Sequence, residues 1–230
     1  MTVRVINLGR RHPGTPARVL TDVSFEITAG TLVAITGPSG GGKTTLLRCL
    51  AGLEPFEHGT VEIEDLRVVG CQGAGGRRAN ARARAALRQR VGLVFQSLEL
   101  FPHLTVLENC VLAPIHVRRL ARADAERPAR DLLARLGLGD KLAAYPQHLS
   151  GGQCQRAAIA RALAMEPRVL LYDEPTSALD ASLKNEVAET LRQVRGTGVT
   201  QLVVTHDLAF ADAVADVRFA LEAGRLRVAG

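Results

Sequence analysis

Short apolar runs rich in β-branched residues alternate along the chain with stretches of helical spacing, a pattern that predicts a parallel sheet covered by helices. The predicted strands are Val3–Leu8, Val23–Ile27, Leu32–Thr36, Val61–Glu64, Val91–Phe95, Val169–Tyr172 and Leu202–Thr205. A last pair, Val217–Leu221 and Leu226–Val228, flanks Ala223-Gly224 and reads as a closing hairpin. Within Ala181–Arg195, the residues Leu183, Val187, Leu191 and Val194 recur at helical spacing and mark one buried face.

The pattern changes between about Ser97 and Met165, where strand signals are few and helical ones several, among them Ala129, Leu132, Leu133 and Leu136. A helical insertion into an α/β core is the natural reading. Pro128 is expected in the first turn of its helix, because in the interior it would remove a hydrogen bond. The stretch Gly70–Arg90 is rich in Gly, Ala and Arg and predicts a loop followed by a short basic helix ending near Arg88.

Length adds that 230 residues, at roughly 150 per domain, make one substantial core with a smaller appendage. Hydrophobic residues at 47% and charged ones at 23% exclude a disordered chain. Lys+Arg 29 against Asp+Glu 23 gives +6, and only Lys43, Lys141 and Lys184 are lysines. Tryptophan is absent and aromatics are 3%, which argues against stacking of single-stranded nucleic acid. Cys49, Cys71, Cys110 and Cys154 form no CxxC and read as reduced thiols rather than a disulfide framework or a zinc site. The start, Met1 to Val5, lacks the apolar region of a signal peptide, and no apolar run approaches the ~18 residues of a bilayer span. The expectation is a chain that is neither secreted nor a pore.

Candidate chemistry begins at Gly37-Pro38-Ser39-Gly40-Gly41-Gly42-Lys43-Thr44-Thr45, after the strand Leu32–Thr36 and before the helical run Thr45–Leu50. This is GxxxxGK[ST] in the strand–loop–helix context it requires. Glycines let successive N–H groups turn toward one anion, and the helix N-terminus adds its positive end. Lys43 can reach the β- and γ-phosphates of a nucleotide, and the Thr44 hydroxyl can ligate Mg²⁺. A second element is Val169-Leu170-Leu171-Tyr172-Asp173-Glu174, a buried strand ending in two acids at the carboxyl edge of the sheet. Asp173 is expected to hold hydrated Mg²⁺, and Glu174 to act as general base on water.

Leu149-Ser150-Gly151-Gly152-Gln153 stands at the start of a helical segment, Gln153–Met165, and offers a second anion site. Followed by Arg156, Ala160-Arg161-Ala162-Leu163 and Asp173-Glu174-Pro175-Thr176-Ser177-Ala178-Leu179-Asp180, it resembles the signature of ABC ATPases over essentially the whole chain. The resemblance implies a P-loop NTPase (RecA-like) α/β core with an N-terminal antiparallel β region and an inserted α-helical subdomain at about 97–165, all within one ABC ATPase domain, 1–230. It implies that Ser150, Gly151, Gly152 and Gln153 close on the ATP of an opposite subunit. Gln96 resembles the glutamine that senses Mg²⁺ and water and links to the membrane partner. His206, in Thr205-His206-Asp207, resembles the switch histidine that contacts the γ-phosphate and orients Glu174, and Asp180 resembles the aspartate at the dimer contact.

Leu100-Phe101-Pro102-His103-Leu104-Thr105-Val106-Leu107-Glu108-Asn109, then Ala113-Pro114 and Tyr145-Pro146, is similar to the importers of polar amino acids. By that resemblance the chain is an ATP-hydrolysing subunit, using ATP and Mg²⁺, that acts as a homodimer or beside a closely related ATPase. Its partners would be two integral-membrane permease subunits and, indirectly, a solute-binding protein, with the chain itself peripheral at the cytoplasmic face of the cell membrane. Three residues depart from the pattern: His12 where an aromatic usually stacks on adenine, Gly41 in place of Ser, and Cys154 in place of a polar residue. Cys154 would offer thiol reactivity if exposed. Another solute or an exporter stays open as an alternative. A nucleic-acid-acting ABC ATPase is suggested by Arg77, Arg78, Arg82, Arg84, Arg88 and Arg90, but the chain has no long heptad segment, zinc cluster or second phosphate loop. The cluster reads first as a solvated helix face, with anionic lipid or permease contact as the further possibility.

Overall fold

Strands buried on both faces organise the protein. In a computed structural model, which describes residues 2–12, 14, 17–71, 76–177 and 179–229, the strands β3 (Leu32–Thr36), β7 (Val169–Asp173) and β8 (Thr200–Thr205) are buried at every position. Alternate side chains feed two separate cores. Leu32, Ala34, Leu170, Tyr172 and Val203 face one, while Val33, Ile35, Leu171, Leu202 and Val204 face the other. That period of two explains why each strand reads as a continuous apolar run.

Among the described residues, ten strands form two sheets. The six-stranded sheet has the order β10-β9-β3-β8-β7-β6, with β6 at Val91–Val94, β9 at Val217–Glu222 and β10 at Arg225–Val228. Its strands from β9 to β6 are parallel, and β10 closes the edge as an antiparallel hairpin partner of β9. The four-stranded sheet is antiparallel in the order β2-β1-β4-β5, from β1 (Thr2–Arg11), β2 (Arg18–Thr28), β4 (His58–Ile63) and β5 (Leu66–Val69). Helix α1 (Lys43–Leu50) lies between the sheets and buries Leu46, Leu47 and Leu50 in the core they share.

Between β6 and β7 come α3 (Val106–His116), α4 (Arg122–Arg135), a 3-10 turn (Pro146–His148) and α5 (Gly151–Leu163), with no strand among them. Beyond β7 follow α6 (Ala181–Arg195), whose bounds match the expected helix, and α7 (Leu208–Val214). Thr105 starts α3 with a reciprocal cap: its hydroxyl accepts from Glu108 N–H, and Glu108 accepts from Thr105 N–H at 2.9 Å.

Two expectations need correction. Pro128 is not in the first turn of its helix: α4 begins at Arg122, so Pro128 stands in the interior. The helix is held across it by Ala125, Ala129, Leu132 and Leu133, all buried, whose packing offsets one lost hydrogen bond. The basic helix is also longer than expected, α2 at Gly76–Arg90. Its arginines are not merely solvated: Arg88 donates to Gly52 O at 2.9 Å, and Arg90 pairs with Asp65 at 2.5 Å. The side chains of Arg77 and Arg78, and residue Ala178, lie outside the described residues.

A nucleotide-type site at the strand ends

The turn from β3 into α1 is shaped by what it omits. Gly42, the N-cap of α1, has φ 96° and no side-chain cap, and the first turn holds no acid. The first N–H groups and positive end of the helix are therefore left without a side-chain cap or a neighbouring acid of the first turn, as an anion site requires. A Cβ at Gly42 would stand 2.9 Å from Val19 O, and one at Gly37 only 2.2 Å from Leu221 O. At Gly41, the departure from serine, a Cβ would meet Pro38 O at 3.0 Å, so the closely folded loop leaves little room for a side chain. Ser39 and Gly40 are exposed at its tip, and Thr45 is half-buried.

Lys43 is 5% exposed. Its Nζ donates to Gly37 O at 2.9 Å and Pro38 O at 3.1 Å, and lies 3.2 Å from Glu174 Oε1. The other carboxylate oxygen of Glu174 accepts from His206 N–H at 3.2 Å and lies 2.9 Å from His206 Nδ1. Glu174 has φ 47°, uncommon for a residue with a side chain, and its N–H is anchored on Val204 O at 2.9 Å. Strain of this kind, about 1–3 kcal/mol, is retained where surrounding structure over-determines it.

Beside this cluster, Thr44 Oγ1 donates to Asp173 Oδ1 at 3.0 Å. Burial raises the Asp173 carboxyl above the ordinary aspartate range, the Thr44 hydrogen bond opposes that shift, and neighbouring Glu174 adds to it. A cation would offset the same desolvation. Gln96, exposed just after β6, lines a groove of 770 Å³ together with Thr44 and Asp173. The three expected metal-site residues thus line one groove. Among the described residues no cluster of three His, Cys, Asp or Glu side chains is suited to a metal, so a divalent ion here would draw its remaining ligands from phosphate oxygens and water.

Ser150 caps α5: its hydroxyl accepts from Gln153 N–H at 3.3 Å, and Gln153 Oε1 accepts from Ser150 N–H at 3.0 Å. This reciprocal cap starts the helix at Gly151, two residues before the expected position. Gly152 stands tight against α6, where a Cβ would meet Glu186 Oε2 at 2.8 Å, and Arg156 pairs with Glu186 at 3.0 Å. Asp180 caps α6 by accepting from Leu183 N–H at 2.9 Å. Among the described residues no hydrogen bond or ion pair joins Ser150, Gly151, Gly152, Gln153 or Asp180 to the Lys43 cluster. His12 is exposed immediately after β1, beyond the ladder pair Arg11–Arg18.

One pair escaped the sequence reading. Asp207 caps α7 by accepting from Phe210 N–H at 3.0 Å and binds Lys184 of α6 at 2.5 Å, which secures the residue next to His206. The Asp-x-x-Phe start of α7 was a legible cap signal; the partner on α6 was not, because it lies far away in sequence.

Residues 20–177 match the ABC transporter family. The glutamate transport ATP-binding protein GluA of Corynebacterium glutamicum is 48% identical over 86% of this chain and 78% of its own length. The L-cystine transport system ATP-binding protein TcyN of Escherichia coli is 46% identical over 97% of this chain and 88% of its own. The glutamine transport ATP-binding protein GlnQ of the same species is 43% identical over 94% and 86%. Among solved structures, dimeric MJ0796, a bacterial ABC transporter cassette, superposes with TM-score 0.81 at 31% identity over 98% of this chain and 96% of that one. The same cassette in a post-hydrolysis state with ADP and Pi gives TM-score 0.80 at 32% identity over 98% of each chain. With the phosphate loop, the strand-end acids and these matches in agreement, the chain belongs to the ABC transporter family, among its ATP-binding subunits.

Proposed function

We propose that this chain hydrolyses ATP to drive import of polar amino acids, as a pair of copies seated against two permease subunits at the cytoplasmic face of a membrane. The observation that carries the chemistry is the shared carboxylate of Glu174, held between buried Lys43 and His206. The solute class is supported by relatives named for glutamate, cystine and glutamine transport. Among the described residues no helix is long and apolar enough to cross a membrane, so passage of solute is assigned to the permease partners, fed by a solute-binding protein.

ATP is the substrate. Its phosphates would lie on the loop from Ser39 to Thr45, with Lys43 turning from Glu174 to the β- and γ-phosphate oxygens. That exchange frees Glu174 to accept a proton from water while His206 keeps its carboxylate in place. Thr44 and Asp173 would hold Mg²⁺, with Gln96 lining the same groove, and the ion would supply neutralisation of phosphate charge. Ser150, Gly151, Gly152 and Gln153 complete the site of the opposite copy, and Asp180 lies at the contact between copies. His12 takes the adenine side, beside the loop that β2 supports through Val19. Catalysis is then positioning plus electrostatic stabilisation.

The decisive test purifies the chain with its permease partners in liposomes and measures ATP turnover with the solute-binding protein and each candidate solute. Glutamate, glutamine, arginine or cystine should raise turnover several-fold in the presence of Mg²⁺. Stimulation by a sugar or a metal ion and by no amino acid would overturn the solute class.

A further inference from the structure

The parallel strands have a second end. Opposite the Lys43 cluster, the segments leading into β7 and β8 meet the helices α3, α4 and α5 around an open cavity of 330 Å³. Its apolar floor is made by Ala125, Ala129 and Leu132 of α4 and Leu163 of α5, all buried. Two alanines on one helix face leave volume that larger side chains would fill. A second hollow of 260 Å³ shares Leu132, Arg135, Leu163 and Thr197 with the first, so Arg135 stands at their junction. The size falls at the lower end of the range of about 300–1,000 Å³ usual for small-molecule sites.

Charge narrows the class of ligand. The larger cavity is lined by Arg118, Arg135 and Arg168 and by one acid, Glu166. Arg118 is neutralised by Glu166 at 3.1 Å, and Arg168 turns to Glu64 at 3.1 Å. The guanidinium of Arg135, exposed where it lines the cavity, makes no hydrogen bond or ion pair among the described residues. One unspent guanidinium beside an apolar floor is complementary to an anion with a hydrocarbon body. The planar guanidinium also matches a carboxylate in two-point geometry.

We propose that this cavity binds a small amphipathic carboxylate, with its chain over Leu132 and Leu163 and its head group on Arg135. The site lies away from the nucleotide loop and does not depend on how ATP is used. An arginine in the last turn of a helix also complements the helix dipole. Ligand selectivity, rather than stability, is therefore what separates the two roles.

The test titrates the full chain with octanoate, octanol and octylammonium while following Leu and Val methyl resonances. Octanoate should produce saturable shifts at Leu120, Leu132, Leu163 and Val199, with an affinity about tenfold above that of the other two. Arg135→Gln should lower octanoate affinity to that of octanol without changing the fold, and Ala129→Leu should block all three. Binding of octylammonium as tightly as octanoate, unchanged octanoate binding by R135Q, or no saturable shift at these methyls would overturn the proposal.

Discussion

Glu174 holds Lys43 and His206 at once, with Oε1 3.2 Å from the lysine Nζ and Oε2 2.9 Å from the histidine Nδ1. An amide at this position has one acceptor oxygen and no charge, so it can replace neither the base nor the ion pair. Glu174→Gln should therefore reduce steady-state ATP turnover about 10²–10⁴-fold while leaving the phosphate loop able to bind nucleotide. Size-exclusion chromatography with ATP and Mg²⁺ should show dimers of this variant accumulating. Turnover near the parental rate would remove Glu174 from the role of base.

Burial raises the Asp173 carboxyl, so its charged form is less favoured in the folded chain than in the unfolded one. The sign follows: protonation favours the folded state below the unfolded value, and that advantage is lost as pH rises through the folded value. Asp173→Asn should raise the unfolding temperature of the nucleotide-free protein at neutral pH. It should also abolish the extra stabilisation that Mg²⁺ adds to ATP, read by comparing melts with Mg²⁺ and with a chelator. A lower melting temperature without nucleotide would mean that the Thr44 hydrogen bond outweighs desolvation.

Asp207 carries the opposite sign. The Lys184 hydrogen bond, then the Phe210 N–H, hold its carboxyl below the ordinary value of 3.8. Its contribution is thus present above the unfolded value and is lost as pH falls through the folded one. Asp207→Ala should cost about 1 kcal/mol near neutral pH, as the loss of a helix cap does. Urea unfolding as a function of pH should show the gap from the parent protein closing below about pH 4.

Gly42 is required by backbone geometry: φ is 96°, and a Cβ would stand 2.9 Å from Val19 O. Gly42→Ala should destabilise the fold by about 2 kcal/mol and weaken ATP binding, because the loop must shift away from β2. Chemical denaturation and nucleotide titration measure the two effects separately.

Thiol reactivity should follow burial. Burial pushes Cys49 and Cys110 up to about 12, and it also raises Cys154, whose Sγ donates to Pro146 O at 3.5 Å. Cys71 is half-buried and its thiol has no such donor bond among the described residues. A thiol reagent at neutral pH should modify Cys71 first and Cys154 slowly, and reach Cys49 and Cys110 only on unfolding. Rapid modification of Cys110 in the folded protein would contradict the packing of α3.

The strands of the parallel sheet were legible because burial on both faces leaves a continuous apolar run, as in Val33 to Ile35 and Leu170 to Tyr172. The antiparallel β5, half-exposed and short, carries no such signal and was not foreseen. Pro128 was misplaced for a related reason. A local rule for proline cannot weigh the apolar contacts that hold α4 together on either side of it. The turn from β3 into α1 was legible because its glycines, Lys43 and Thr44 are contiguous between an apolar strand and a helical run, and the anion-binding role we propose for it rests on that spacing.

The sequence by itself determined the class of protein and supplied the residue types of the proposed site: the loop, the acids at the end of β7 and the histidine after β8 are local patterns in a periodic context. Only the tertiary structure decided who meets whom. It set Glu174 between Lys43 and His206, turned Thr44 to Asp173, placed Gln96 on their groove, and left the exposed guanidinium of Arg135 beside an apolar cavity with no partner among the described residues. The physical reason is that periodicity and capping act over a few residues, whereas these contacts join positions brought together by parallel strand order and by the packing of α3, α4 and α5 against it.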